Sequence, residues 1–247
     1  MNPLFCQLII YWRIEAYSIM VAMNFVGRKR EIAAVIKSLK QNRNVVLTGR
    51  YGAGRSSLAK HIAGLHKKTW QFLFADFSKT VARSCNDMIN QLASKGSKTQ
   101  SHQYTRLMYA KDILIGRKAD TNLPRVLVLD NIGKISRPKI AFIRDMRLES
   151  NLLFIAITES FLPEADLFRL RSTLYPSDLL ALHNLKPKEA AAFFRNYSQR
   201  KSLGWSEKFI KMLVVSTGGS ALLIKERAQR EAGLIPSGTN MSKPGRN

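Results

Sequence analysis

Acidic residues are scarce in this chain: 17 Asp and Glu stand against 40 Lys and Arg over 247 residues, a formal net charge of +23. Cysteine is scarcer still. Cys6 and Cys85 lie far apart and form no CxxC pair, which excludes a disulfide scaffold and a thiolate zinc site and points to a reducing compartment, the cytoplasm. Long apolar runs are missing too. The nearest approach is Leu4 to Trp12, but no Lys or Arg precedes it, and Arg13 and Glu15 interrupt it well short of the roughly 20 residues of a spanning helix. The pattern fits neither a signal peptide nor membrane insertion. Met20 and Met23 follow directly, so the natural start is expected at one of them and residues 1–23 are expected to be an extension. No internal repeat is present, which argues against a solenoid.

What is present is an ordinary globular share of hydrophobic residues, 45%, under a strongly cationic surface. Between Glu31 and Asp76 there is no acid at all, while Lys37, Lys40, Arg43, Arg50, Arg55, Lys60, Lys67 and Lys68 fall in that interval. A field of this sign attracts polyanions, and DNA is the expected partner. The competing explanation is a soluble face with some cations committed to nucleotide phosphates.

Apolar runs alternate with helical periodicity. Helical spacing of Ile32, Ala33, Val35, Ile36 and Leu39 predicts a helix over 28–40. Short buried strands are expected at Asn44–Thr48, Trp70–Phe77, Arg125–Asp130 and Leu152–Ile157, with a weaker one at Asp178–Leu182. Helices are expected over 57–66, 81–92 and 104–115, with a mobile polar loop at 94–102. Strands that read as continuous apolar runs between helices define an α/β fold, a three-layer core around a parallel sheet. After Pro187 only helices follow, over 188–199, 206–215 and 221–232, which predicts a small all-α lid. The expected division is a core over 24–184, a lid over 185–233 and a disordered tail over 234–247.

One turn carries chemistry. Gly49-Arg50-Tyr51-Gly52-Ala53-Gly54-Arg55-Ser56 fits the phosphate-loop pattern at every position except the lysine, which is Arg55. A strand ends there, Gly49, Gly52 and Gly54 permit a tight turn, and successive amides from Ala53 to Ser57 converge at a helix N-terminus, where phosphate binds. Ser56 is placed to ligate Mg²⁺, and Asp130, ending an apolar strand, is placed to join it. The alternative for Asp130 is a cap on the following helix. Arginine is larger and planar where lysine is a compact point charge, so ATP binding is expected to survive Arg55 better than turnover does. Asn131 follows Asp130, and an amide is a poor substitute for a carboxylate that orients water. Asp76, Glu159 and Asp178 stand near strand ends as possible replacements, Glu159 first.

Phe25-Val26-Gly27-Arg28-Lys29-Arg30-Glu31-Ile32, the phosphate loop, Leu129-Asp130, Thr158 and Thr217-Gly218-Gly219 together resemble AAA+ and STAND-type P-loop ATPases, in particular the archaeal-type and origin-recognition-like branch. The resemblance spans roughly Asn24 to Glu231. It implies that Val26 and Gly27 lie near the adenine and that Thr158 contacts the γ-phosphate or the attacking water. It also implies that Arg169 or Arg171 reaches a neighbouring subunit's nucleotide, hence a homo-oligomer or a protein partner. Ser220-Ala221 stands where the family's lid turn reads Asn-Pro, and Lys225 is the nearest cation beyond it. Two functions compete: a slow AAA+-like ATPase acting with DNA, and a nucleotide-dependent switch or scaffold with little or no hydrolysis.

Overall fold

A computed structural model describes residues 25–92, 112, 114, 123–148 and 152–233. The expected extension, the loop over 94–102, most of the helix over 104–115 and the tail lie outside the described residues; of that helix, Asp112 and Leu114 are helical.

The described residues up to His183 form one compact unit. Its strands β1 (Asn44–Gly49), β2 (Gln71–Asp76), β3 (Arg125–Ile132), β4 (Leu152–Thr158) and β5 (Ser177–Leu182) are parallel, in the order β2-β3-β4-β1-β5. The parallel arrangement follows from burial. The runs Asn44–Leu47, Arg125–Leu129 and Leu152–Thr158 are buried along their length, which requires cover on both faces of the sheet. Strand alternation divides the side chains. Val45, Leu47, Val126, Val128, Ile155 and Ile157 pack against α1 (Lys29–Lys40) and α2 (Arg55–Leu65). Val46, Leu127, Leu129, Phe154 and Ala156 pack on the other side with α3 (Val81–Leu92), α4 (Arg137–Leu148) and α5 (Glu164–Thr173).

The sequence reading anticipated the strands and α1 to α3 within a few residues. It marked no helix at α4 or α5. Pro138 and a high density of Lys and Arg blur the first, and the second buries only Leu170, so neither prints a strong apolar stripe.

Two buried polar residues fix the amino-terminal edge of the sheet. Asn44 donates from Nδ2 to the Leu174 carbonyl (2.7 Å) and accepts at Oδ1 from the Phe154 amide (2.9 Å), tying β1 to β4 and to the end of α5. Arg125 donates to Gln71 Oε1 (2.9 Å) and to the Leu114 carbonyl (2.8 Å).

From Asn184 onward a second unit contains α6 (Pro187–Arg200), α7 (Glu207–Thr217) and α8 (Ala221–Glu231) around Ala190, Phe194, Ile210, Leu213, Ile224 and Ala228. Pro187 occupies the first turn, where its missing N–H costs nothing. Ser206 caps α7 by accepting from the Phe209 amide (3.3 Å). Gly218 ends α7 in the left-handed region, and Gly219 (φ 74°) passes so close to the Leu185 carbonyl that a Cβ would sit 2.2 Å from its oxygen. Among the described residues, no helix is long and apolar enough to cross a membrane.

Candidate functional site: the phosphate loop

The chain leaves β1 through Gly49, where a Cβ would stand 2.4 Å from the Leu182 carbonyl oxygen, so only glycine allows β5 this close. Gly52 and Gly54 carry φ of 79° and 89°, and Gly54 is the N-cap of α2. The first-turn amides of α2, those of Arg55, Ser56 and Ser57 among them, have no partner within the helix, and the helix dipole adds positive potential there. The loop is braced from upstream. Gly27 and Arg28 both take left-handed φ (79° and 57°), which sends the buried Arg28 guanidinium inward. It donates to the Ala53 carbonyl (2.7 Å), the His183 carbonyl (2.6 Å) and Glu31 (3.2 Å). Sequence reading placed Val26 and Gly27 at the nucleotide and gave Arg28 no role; its place directly after a glycine in the box was the available signal. Phe25, next to half-buried Val26, stacks on His61 of α2 at 4.2 Å between ring centroids. Burial lowers the His61 pKa from its ordinary value.

Across from the loop, Ser56 Oγ donates to Asp130 Oδ1 (3.0 Å). The expected pair is therefore in contact. Asp130 does not cap α4, which begins seven residues later at Arg137. A hydroxyl and a carboxylate converging at a phosphate loop form an all-oxygen donor set that suits a hard cation such as Mg²⁺.

Arg55 lies differently from a free phosphate-binding cation. Only 6% of its side chain is exposed; it donates to the Thr158 carbonyl and, at 2.7 Å, to Glu159 Oε2, itself 16% exposed. Thr158, at the end of β4, is buried, and its hydroxyl donates to the Leu47 carbonyl (3.3 Å). The fold thus brings Arg55, Thr158 and Glu159 together beneath the loop.

The other acids separate. Asp178 does not belong here: it is the second residue of β5, opposite Val45, at the amino end of the sheet, and it receives Arg43 (2.6 and 3.0 Å) and Ser38 (2.8 Å). The expected strand Asp178–Leu182 already placed this acid first; parallel pairing with β1 puts that opening end at the edge of the sheet opposite the phosphate loop. Asp76 is at the carboxyl end, in register with Asp130. Asn131 donates from Nδ2 to Asp76 Oδ1 (3.1 Å), and Ser78 donates to the same oxygen from its amide (3.0 Å) and hydroxyl (2.7 Å). The Ser78 hydroxyl foremost, with Asn131, holds the Asp76 carboxyl below its ordinary pKa against the opposing effect of burial. Lys139, which no sequence signal marked, reaches the Phe77 carbonyl and lies 5.4 Å from the Phe77 ring centroid. Arg169 and Arg171 are exposed on α5, where Arg169 lies 3.6 Å from Asp166; neither joins the contacts around the loop. Lys225 is exposed on α8.

A parallel sheet ordered β2-β3-β4-β1-β5, with a glycine loop between β1 and α2 and an acid near the carboxyl end of β3, defines a P-loop NTPase of the AAA+ type. The sequence profile of the Novel STAND NTPase 1 family (nSTAND1) matches residues 11–219, and the chain belongs to that family. Solved structures agree on the fold. The Thermotoga maritima RuvB Holliday junction branch migration motor aligns with TM-score 0.53 at 16% identity, over 83% of this chain and 62% of that one. The Aeropyrum pernix ORC1 protein in complex with DNA gives 0.59 at 12% identity over 84% and 60%, and the ORC2 protein of the same organism 0.58 at 14% over 81% and 60%. This chain therefore spans about three fifths of each of those proteins. No curated protein matches it.

Proposed function

We propose that the protein binds ATP with Mg²⁺ at Gly49–Ser57, hydrolyses it slowly and acts together with DNA. The observation that carries the nucleotide reading is the meeting of Ser56 and Asp130 directly below an α2 amino terminus whose loop is built on left-handed glycines. Slow turnover follows from two departures. Arg55 is held by Thr158 and Glu159, so engaging a terminal phosphate requires it to exchange a buried partner. Asn131 puts an amide directly after Asp130, so a carboxylate that orients water has to come from another strand.

DNA is supported by where the cations fall. Lys37 and Lys40 on α1, Lys60 on α2, and Lys67 and Lys68 in the turn that follows are all exposed, on helices that cover one face of the sheet. Arg43 and Arg55 are committed internally, so the acid-free interval supplies a smaller footprint than its count suggests. The ORC1 structure is itself a complex with DNA. Each phosphate contact contributes about −0.9 to the slope of log affinity against log salt. Filter binding of duplex DNA across a salt series tests this reading: a steep negative slope is expected, and salt-indifferent binding overturns it.

The Arg55–Glu159 pair also favours a second reading, a nucleotide-dependent switch with little turnover. Arg55→Lys discriminates the two. A sharp rise in phosphate release identifies a slow ATPase limited by its arginine; unchanged, negligible release at saturating ATP identifies the switch.

A further inference from the structure

We propose that Asp76, on the neighbouring strand, is the carboxylate that orients the attacking water, with Asn131 as the residue that positions it. The proposal rests on the nucleotide reading above and goes beyond it.

The geometry starts with an irregularity in β3. Leu129 pairs with Ala156 and Ile132 with Thr158, so two residues of β3, Asp130 and Asn131, stand where β4 has only Ile157. This bulge puts Asn131 into the left-handed region at φ 60°, a conformation that asparagine tolerates better than most side chains. Its amide is thereby turned towards β2, where Nδ2 donates to Asp76 Oδ1. The Asn131 backbone amide donates to Asp130 Oδ1 (2.9 Å), and the Phe77 amide donates to the Asp130 carbonyl (2.7 Å). Asp76 and Asp130 are thus level on adjacent strands, about 4.8 Å apart in strand spacing, with Asn131 joining them. Oδ1 of Asp76 takes three donors, whereas among the described residues no hydrogen bond reaches Oδ2. One oxygen anchors the carboxylate, and the other is left for a further donor on the strand next to the one that carries the Ser56–Asp130 contact.

A carboxylate and an amide are therefore both present at the carboxyl ends of β2 and β3, with the carboxylate on β2. Glu159, the other candidate, already holds Arg55. In the step this arrangement serves, Asp76 Oδ2 accepts a hydrogen bond from a water. The water oxygen forms a bond to the terminal phosphorus of ATP as the bond to the bridging oxygen breaks, and ADP leaves with that electron pair. Both water protons end on the released phosphate, one of them then passing to solvent. The carboxylate directs the oxygen lone pair and need not retain a proton.

The test uses the full chain and four proteins: wild type, Asp76→Asn, Asn131→Asp, and the exchanged double variant Asp76→Asn with Asn131→Asp. Three quantities are read: affinity for a fluorescent ATP, phosphate release, and trapping of ADP with aluminium fluoride, which mimics the transferring phosphoryl group. Asparagine at 76 can still accept from Ser78, so the turn and the melting temperature should hold. The expected result for Asp76→Asn is phosphate release down on the order of 10²-fold, loss of aluminium fluoride trapping, and ATP affinity within about threefold. The exchanged variant should regain trapping and most of the turnover. Unchanged turnover in Asp76→Asn overturns the proposal, as does a parallel loss of ATP affinity and melting temperature, which would make Asp76 a purely structural turn residue. A wild type that binds ATP yet neither turns over nor traps also overturns it and leaves the nucleotide reading standing. A wild type that binds no ATP defeats both.

Discussion

Two arginine–carboxylate pairs sit at opposite ends of the same sheet, and burial gives them different meanings. At the amino end Arg43 meets Asp178 through two nitrogens, with 38% and 35% of the side chains exposed. At the carboxyl end Arg55 meets Glu159 with 6% and 16% exposed. Contact distances are alike, 2.6 and 2.7 Å. Water screens the first pair, so either partner can be solvated once the other is lost. The second has no such recourse: if one charge is removed, the other is left in a low-dielectric site. The first pair joins the turn after α1 to β5. The second joins the phosphate loop to β4 and can be broken without penalty only by another anion, such as phosphate.

The largest effect should come from breaking the buried pair on one side. Glu159→Ala is expected to destabilise the chain by about 3–5 kcal/mol, measured by urea unfolding without nucleotide. Exchanging both partners for apolar residues, Arg55→Met with Glu159→Leu, should restore most of that loss. If the double variant is as unstable as the single one, an uncompensated buried charge is not the reason. ATP should raise the Glu159→Ala melting temperature more than that of wild type, because phosphate resupplies the missing anion to Arg55.

Next in size is the partner across the loop. Asp130→Ala removes the carboxylate that Ser56 contacts, and Mg²⁺-dependent ATP affinity should fall about 10- to 100-fold. Metal-free nucleotide binding, which depends on backbone amides, should change far less. Equal losses with and without Mg²⁺ would show that Asp130 only shapes the loop.

The same contrast explains what the sequence could disclose. Backbone-defined features were legible: the glycine loop, the apolar strands and the lone acid near the carboxyl end of β3 depend on local residue type. Arg55 was recognisable as a departure from lysine, yet its partner was not, because Glu159 lies 104 residues away and meets it only through the order of β4 and β1. Asp178 was counted among the candidates although it opens its strand, because which end of the sheet a strand's opening occupies is settled only by the parallel pairing of β1 with β5. Asn131 looked like a plain loss of a carboxylate until the bulge in β3 and the register of β2 brought Asp76 to it. Arg28 stood among Lys29 and Arg30, and only its place directly after Gly27 set it apart from two exposed neighbours.

Glycine offers a smaller break, in the helical unit. Gly219→Ala forces a Cβ against the Leu185 carbonyl at an unfavourable φ, at an expected cost of about 1–3 kcal/mol. The loss should appear in the unfolding of residues 184–233 followed by hydrogen exchange. Gly218→Ala, with nothing within 4 Å of the added Cβ, carries only the conformational penalty, about 1 kcal/mol. If the two variants behave alike, the close approach to Leu185 is not what demands glycine there.

The smallest effect belongs to the exposed pair and is visible only in acid. The Asp178 carboxyl is held below its ordinary value of 3.8, first by the hydrogen bond from Arg43 and then by that from Ser38, with burial opposing both. A carboxyl whose folded pKa is depressed contributes stability that is fully present above the unfolded value and is lost as pH falls through the folded one. Near neutral pH Asp178→Asn should therefore remove this contribution, while at pH well below 3.8 wild type and variant should converge, because the wild-type carboxyl is then protonated too. Salt separates this pair from the buried one. Raising ionic strength should shrink the Asp178→Asn difference at neutral pH and leave the Glu159→Ala difference nearly unchanged. If salt reduces both equally, the contrast in burial between the two ends of the sheet does not govern how these arginines behave.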